Sequence, residues 1–188
     1  MSIPELIIKS IKTKIRLLKD KEQLFLINST SNLIIKALKN GNKILIAGNG
    51  GSAADAQHFA AELAGKFIRN NRKPLPAIAL TANSSTITAL GNDFGYENVF
   101  LKQIEALGNK GDILFLISTS GNSMNLIKAV RLAKEKNLTT ISLLGNNGGR
   151  LKQISDLSII VPSENTQNIQ EAHILIIHII CEAIENAF

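Results

Sequence analysis

The sequence of 188 residues contains one cysteine, one tyrosine and no tryptophan. A single thiol, Cys181, excludes an intramolecular disulfide and suits a reducing compartment, so we predict a cytoplasmic protein. Residues 1–20 carry charged side chains among the apolar ones, and we therefore expect no signal peptide. No apolar run reaches the length of a membrane span, and we expect no membrane partner.

The sequence also lacks a dense basic run, although its formal net charge is +6. Lysines and arginines are scattered, and neither a zinc-finger spacing nor an aromatic nucleic-acid signature is present. We therefore predict no nucleic-acid partner. A generally basic surface explains the charge, and attraction of a phosphate-bearing substrate is a secondary benefit.

Short apolar segments alternate with helical segments after residue 40, which predicts one compact α/β domain with a doubly wound, five-stranded parallel sheet flanked by helices. The predicted strands are 43–47, 77–80, 112–117, 139–144 and 157–161. Helices are predicted at 53–63, 83–91, 97–107, 123–136 and 166–185, with a turn at 91–95. The unbroken apolar run 113–117 is typical of a strand covered on both faces.

Two amphipathic helices are predicted within residues 1–40, because apolar residues recur there at helical spacing. We interpret them as an N-terminal helical arm of the same domain as residues 41–188. The pattern leaves two arrangements open: the helices pack on the sheet, or they form a bundle with another subunit.

A glycine-rich turn, Gly48-Asn-Gly-Gly-Ser52, follows the first predicted strand and precedes a helix. It is neither a dinucleotide fingerprint nor a Walker motif, since the spacing and the lysine are missing. The alternative is that this turn is only a tight connection between the strand and the helix. Glycines at a helix start nevertheless allow the backbone to approach a phosphate, so we predict an anion site.

A second turn, Ser118-Thr-Ser-Gly-Asn-Ser123, places four hydroxyl groups at the end of another strand. Capping the next helix requires one hydroxyl, and four exceed that need. Because ligands of parallel sheets sit at the carboxyl ends of strands, we predict that this turn holds a sugar phosphate.

His58 and Glu62 are four residues apart on the helix after the first turn and share one face. They form either a surface pair, an acid–base pair or two ligands of a metal such as Zn²⁺. On the last helix, Gln170 and His178 are about 12 Å apart along the axis, so binding one ion would require extended side chains or sharing between subunits. His173 and Cys181 are predicted to be core residues.

Four motifs in this order resemble the phosphoheptose isomerase family, which is built on the sugar-isomerase (SIS) domain. They are residues 48–62, 91–95, 118–123 and 169–178, and the similarity runs from about residue 20 to residue 188. The resemblance implies an SIS-type fold and a cytoplasmic homotetramer with active sites at subunit interfaces. It also implies one Zn²⁺ per subunit and conversion of sedoheptulose 7-phosphate to D-glycero-D-manno-heptose 7-phosphate through an enediol. That reaction begins bacterial ADP-heptose synthesis for lipopolysaccharide core or capsule.

The resemblance also implies roles for individual residues. Glu62 and His178 fall on the acid–base pair. The implied metal ligands are His58, Glu62, Gln170 and His178. The implied substrate contacts are Asn49, Gly50, Gly51, Ser52, Glu62, Asn92, Asp93, Ser118, Thr119, Ser120, Ser123 and Gln170. Many relatives carry Arg where this chain has Asn168, so no role is transferred to the segment 167–168.

The sequence argues against two other functions that SIS-domain proteins perform. Some SIS-domain proteins bind the bacterial replication initiator, but they lack the residues that correspond to Glu62 and His178. Sugar-sensing regulators need an added DNA-binding domain, and residues 1–40 lack a helix-turn-helix pattern with basic recognition residues. The sequence therefore favours the isomerase.

Overall fold

The computed structural model describes residues 2–188, in which eight α-helices and one 3₁₀ turn accompany five β-strands. The helices are α1 (Ile3–Lys19), α2 (Lys21–Lys39), α3 (Gly51–Ala64), α4 (Ser84–Phe94), α5 (Val99–Leu107), α6 (Met124–Glu135), α7 (Gly149–Ile154) and α8 (Thr166–Glu185). The strands are β1 (Ile44–Gly48), β2 (Ala77–Ala79), β3 (Ile113–Ser118), β4 (Thr139–Leu144) and β5 (Leu157–Ile160). The 3₁₀ turn, Tyr96–Asn98, precedes α5.

All strand pairs are parallel and the order is β2-β1-β3-β4-β5, which confirms the predicted doubly wound sheet. The direction of strand addition reverses between β1 and β3. Such a switch point opens a crevice outside the carboxyl ends of the two strands, and ligands bind there. The glycine-rich turn follows β1 and the hydroxyl-rich turn follows β3, so both lie at this crevice.

Helices cover both faces of the sheet. Ile44 and Ile46 of β1 pack toward α2, α3 and α8, whereas the alternate residues Leu45 and Ala47 pack toward α5 and α6. Every residue of β1 and β3 is buried, which explains why residues 44–47 and 113–117 are unbroken apolar runs.

The two N-terminal helices behave differently. Helix α2 adds Ile27 and Ile34 to the core, and its buried Gln23 accepts a hydrogen bond from the backbone N–H of Ile160. Helix α1 buries only Thr13 and Leu17 among its described residues. Of the two arrangements that the sequence left open, packing on the sheet side therefore holds for α2, while most of α1 faces outward.

One local prediction was wrong, and one helix was missed. The predicted turn at 91–95 is the last helical turn of α4, which ends at Gly95 with φ of +82°. Gly91 is tolerated inside the helix, and only the second glycine adopts the backbone angle that stops it. Helix α7 was not predicted, because its six residues are too few to show a period.

The two predicted core residues of α8 are confirmed. His173 is fully buried and its Nε2–H donates to the carbonyl of Leu144 at 3.1 Å. Burial lowers the pKa of His173 to about 4 and raises the pKa of Cys181 to about 12, so both stay uncharged at neutral pH. Across residues 2–188, no helix is long and apolar enough to cross a membrane.

Candidate active site

The glycine-rich turn is shaped to receive a side chain from α8. Gly50 has φ of +55°, and the position of a Cβ on Gly51 is occupied by the side-chain amide of Gln170. A larger residue at position 51 would push that amide away. Ser52 is buried beneath the turn against Gly48. Gln170 therefore lies at the start of α3, as a substrate contact in this turn would require.

Asn49 links the glycine-rich turn to the first turn of α6. Its amide exchanges two hydrogen bonds with the buried amide of Asn125, at 3.0 and 2.9 Å. The hydroxyl of Tyr96 also donates to Asn49 Oδ1, at 3.0 Å. Both lone pairs of that oxygen are thereby used, so the side-chain carbonyl of Asn49 has no acceptor site left over.

Sequence reasoning missed Asn125 and Tyr96. Asn125 is a buried polar residue directly after the helix start at Ser123, and this position was the one available signal. Tyr96 lies three residues beyond Asp93 and is the part of that segment that reaches the first turn. Asn92 and Asp93 are exposed and hydrogen-bonded to each other at 2.9 Å, and within residues 2–188 neither is hydrogen-bonded to either turn.

The hydroxyl groups of the second turn divide into two kinds. Ser118 Oγ accepts from Gly121 N at 3.1 Å and Ser120 Oγ accepts from Asn122 N at 3.2 Å, so these two hydroxyls stabilise the turn itself. Ser123 is the N-cap residue of α6, yet in the described chain its hydroxyl makes no capping hydrogen bond. A hydroxyl and a helix N-terminus thus remain available together for an anion.

The turn after β4, residues 145–149, is hydrogen-bonded to the hydroxyl-rich turn. Asn146 donates to the carbonyl of Thr119 at 2.8 Å, and the backbone of Arg150 donates to Asn122 Oδ1 at 3.0 Å. Gly121, with φ of +66°, packs against the carbonyl of Gly148. The shape of the hydroxyl-rich turn therefore depends on residues that have no predicted contact with a ligand.

Helices α3 and α8 bring together three of the four predicted metal ligands within one chain. His58 Nε2 lies 3.0 Å from Glu62 Oε1 and 3.3 Å from His178 Nε2. The ring of Phe67 packs on the other side of His178, with ring centroids 5.6 Å apart. The predicted acid–base residues thus flank a common histidine. Gln170, eight residues before His178, lies at Gly51 instead.

A further carboxyl group, which the sequence did not reveal, lies one helical turn before His58. Within residues 2–188, Asp55 Oδ2 is buried without a hydrogen-bond partner. Burial raises the pKa of Asp55 to about 6, against an opposing effect of His58. An Asp on a polar helix face usually indicates a solvated residue, and only its three-dimensional surroundings distinguish this one.

The cluster has a donor set that suits Zn²⁺. Two imidazole nitrogens and a carboxylate oxygen are typical zinc ligands, and adjacent donors in a tetrahedral site are about 3.3 Å apart. The distances of 3.0 and 3.3 Å around His58 agree with that spacing. In the described chain, no three His, Cys, Asp or Glu side chains already surround a common point, and His58 is paired with Glu62 instead. Each neighbouring pair of donor atoms has a spacing that suits the ion. For all three side chains to bind it at once, they would have to rotate.

Known proteins resemble this chain in sequence and in fold. The sequence model of the SIS domain family matches residues 8–145. A phosphoheptose isomerase of Clostridium acetobutylicum is 52% identical over 176 residues, which cover 94% of this chain and 89% of that protein. Two solved structures of phosphoheptose isomerases are also similar. The one from Neisseria gonorrhoeae has a TM-score of 0.92 at 43% identity and covers 98% of this chain and 97% of its own. The one from Francisella tularensis has a TM-score of 0.93 at 40% identity, with 98% and 96% covered.

Proposed function

The chain belongs to the phosphoheptose isomerases of the SIS domain family, and from this premise we propose that it converts sedoheptulose 7-phosphate to D-glycero-D-manno-heptose 7-phosphate. This reaction opens bacterial ADP-heptose synthesis for lipopolysaccharide core or capsule. One observation carries the proposal for this chain: α3 and α8 place Glu62 and His178 on either side of His58. A protein that only binds a partner has no need of a carboxylate and an imidazole so placed.

The reaction requires one proton to move between two carbons and another between two oxygens. A base removes the proton from C1 of the ketose, and an enediol forms as the C2 carbonyl oxygen gains a proton. Reprotonation at C2 and loss of the O1 proton then give the aldose. Glu62 and His178 are assigned to these transfers, because a carboxylate and an imidazole are the side chains that most often act as general bases and acids.

We propose that His58, Glu62 and His178 hold one Zn²⁺ per subunit, with Gln170 as the fourth ligand by resemblance. The spacing around His58 supports the first three, whereas the Gln170 amide lies against Gly51. When bound, the ion would polarise the substrate oxygens as a Lewis acid.

The substrate is assigned along the crevice between the two turns. The phosphate is placed at residues 118–123, where Ser123 and the start of α6 remain available. The sugar is placed at Asn49, Gly50 and Gly51. Holding the phosphate at a fixed position would bring the reacting carbons to the acid–base pair.

We propose that four chains assemble in the cytoplasm with active sites at subunit interfaces. The support is an apolar stripe on the N-terminal helices, where Ile3, Leu18 and Phe25 are 75%, 70% and 68% exposed. An exposed stripe of this kind marks an interaction surface. The one cysteine is compatible with a reducing compartment.

Incubation of the purified protein with sedoheptulose 7-phosphate tests the activity. We expect an aldoheptose 7-phosphate by product analysis, a lower rate after treatment with a chelator, and recovery when ZnCl₂ is added. An absence of aldoheptose phosphate with and without chelator would favour a binding protein. Unchanged activity after the metal is removed would reject the zinc proposal alone.

Replacing Ser123 with Ala separates phosphate binding from helix capping. Because its hydroxyl caps nothing, we expect KM to rise about 10-fold through a lost bond to a charged group, with little change in thermal stability. Asp20→Ala is the matched control, since Asp20 does cap α2 by accepting from Gln23 N at 3.1 Å. It should lose about 1 kcal/mol of stability and keep its KM. An unchanged KM with reduced stability in Ser123→Ala would instead support the capping explanation.

A further inference from the structure

The buried guanidinium of Arg72 binds backbone carbonyls at the carboxyl end of α3. Its Nη1 donates to the carbonyls of Leu63 and Lys73 at 2.9 and 2.8 Å, and its Nη2 donates to the carbonyls of Glu62 and Gly65, both at 2.7 Å. The Nε–H of this residue, Arg72, points to Glu185 Oε1 at 3.4 Å. All five N–H donors of the guanidinium are therefore used, and most of them satisfy carbonyls that a helix end leaves unpaired.

Glu185, near the end of α8, is held as completely as its partner. Its carboxylate accepts from the backbone N–H groups of Phe67, Ile68 and Arg69 at 3.2, 2.9 and 3.1 Å. The side chains of Arg72 and Glu185 are 2% and 3% exposed. Burial alone would raise the pKa of Glu185, but the backbone donors and Arg72 bring it below its usual value, so the carboxylate is ionised.

The ion pair touches both helices of the candidate active site. Arg72 binds the backbone carbonyl of Glu62 itself. Glu185 lies two helical turns beyond His178 on α8. It also holds the N–H of Phe67, whose ring packs on the ring of His178. A shift of either charged group would move the carboxylate and the imidazole relative to each other.

We propose that Arg72 and Glu185 are positioning residues, which together fix the distance and orientation between Glu62 and His178. The inference rests on the proposed function, in which these two residues transfer the protons. Neither Arg72 nor Glu185 needs to meet the substrate, because both act through the backbone of α3 and the ring of Phe67.

The alternative is that the pair only stabilises the fold, and the chain contains a control for that role. Asp112 is also 3% exposed, forms an ion pair with Lys43, and accepts from the backbone N–H groups of Lys43 and Asn109 at 3.0 and 2.8 Å. Lys43 and Asp112 precede β1 and β3, at the end of the sheet opposite to the two turns. Removing the charge of Asp112 therefore disturbs a similar network without reaching α3 or α8.

The test compares Glu185→Gln and Arg72→Lys with Asp112→Asn. We expect all three variants to melt at lower temperature than the wild type. In Glu185→Gln and Arg72→Lys, kcat should fall about 10- to 100-fold with KM within about 3-fold, because slightly misplaced catalytic groups lose rate more than binding. In Asp112→Asn, kcat and KM should both remain at wild-type values. Wild-type kcat in a folded Glu185→Gln or Arg72→Lys would overturn the proposal.

Histidine NMR provides a readout that does not depend on activity. The chain has three histidines, and buried His173 serves as the internal reference. We expect the ring-nitrogen signals of His58 and His178 to move in Glu185→Gln and Arg72→Lys while those of His173 stay in place, and no such change in Asp112→Asn. Unmoved signals in both variants would reject the positioning role even if the wild type proved not to isomerise the sugar. If one variant fails to fold, the other decides.

Discussion

Replacing Glu62 with Gln is expected to lower the rate of sedoheptulose 7-phosphate conversion about 10³-fold, equivalent to about 4 kcal/mol of transition-state stabilisation. Glutamine keeps the size of the side chain and an oxygen that can accept from His58, so the contact at 3.0 Å has a substitute. It cannot take up a proton, and it is a poorer metal ligand than a carboxylate. The loss should therefore fall on kcat.

The control is Glu182→Gln, which removes an exposed carboxylate from α8 four residues after His178. Its turnover should equal that of the wild type. Circular dichroism and thermal unfolding of both variants should match the wild type, which would show that the rate loss is chemical. If Glu62→Gln turned over at a near-normal rate, Glu62 would not be the acid–base residue.

The strands could be predicted because their environment leaves a clear mark on the sequence. A parallel strand covered on both faces is apolar along its length, as in residues 113–117 of β3, and the five-residue length of this run favours a strand over a buried helix. The end of α4 could not be predicted, because Gly91 and Gly95 are both able to stop a helix. Their backbone angles, set by tertiary packing, decide between them.

In the candidate site, too, some features could be predicted from the sequence and others could not. His58 and Glu62 share a face by the geometry of one helix, and the separation of Gln170 from His178 follows from helical rise. The structure keeps that separation, with Gln170 at Gly51 and His178 at His58. The roles of these residues as ligands and catalysts stay predictions.

Contacts between residues that are far apart along the chain could not be predicted from the sequence. Asn49 and Asn125 are 76 residues apart, and Arg72 and Glu185 are 113 apart. Single Asn, Arg and Glu residues are ordinary on a protein surface, and periodicity carries no information about which partner each will meet. They stand out only where burial requires every polar atom to be satisfied.

The second large effect is expected for Gly121→Ala, which should destabilise the protein by about 3 kcal/mol. Its φ of +66° strains any residue with a Cβ, by about 1–2 kcal/mol. The added methyl group would also meet the backbone carbonyl of Gly148, and overpacking costs a further 1–3 kcal/mol. The melting temperature should fall by roughly 6–12 °C, and KM should rise as the hydroxyl-rich turn moves.

Gly41→Ala isolates the contribution of that contact. Gly41 has a similar φ of +81°, but nothing lies within 4 Å of an added Cβ. We expect a loss of about 1 kcal/mol from backbone strain, with KM unchanged. The difference in lost stability between the two variants then measures how strongly the contact with the turn after β4 resists a change in the turn after β3. If both variants lost the same stability and kept the wild-type KM, the two turns would have moved to accommodate the methyl group. The hydroxyl-rich turn would then keep its shape without its contact with the turn after β4.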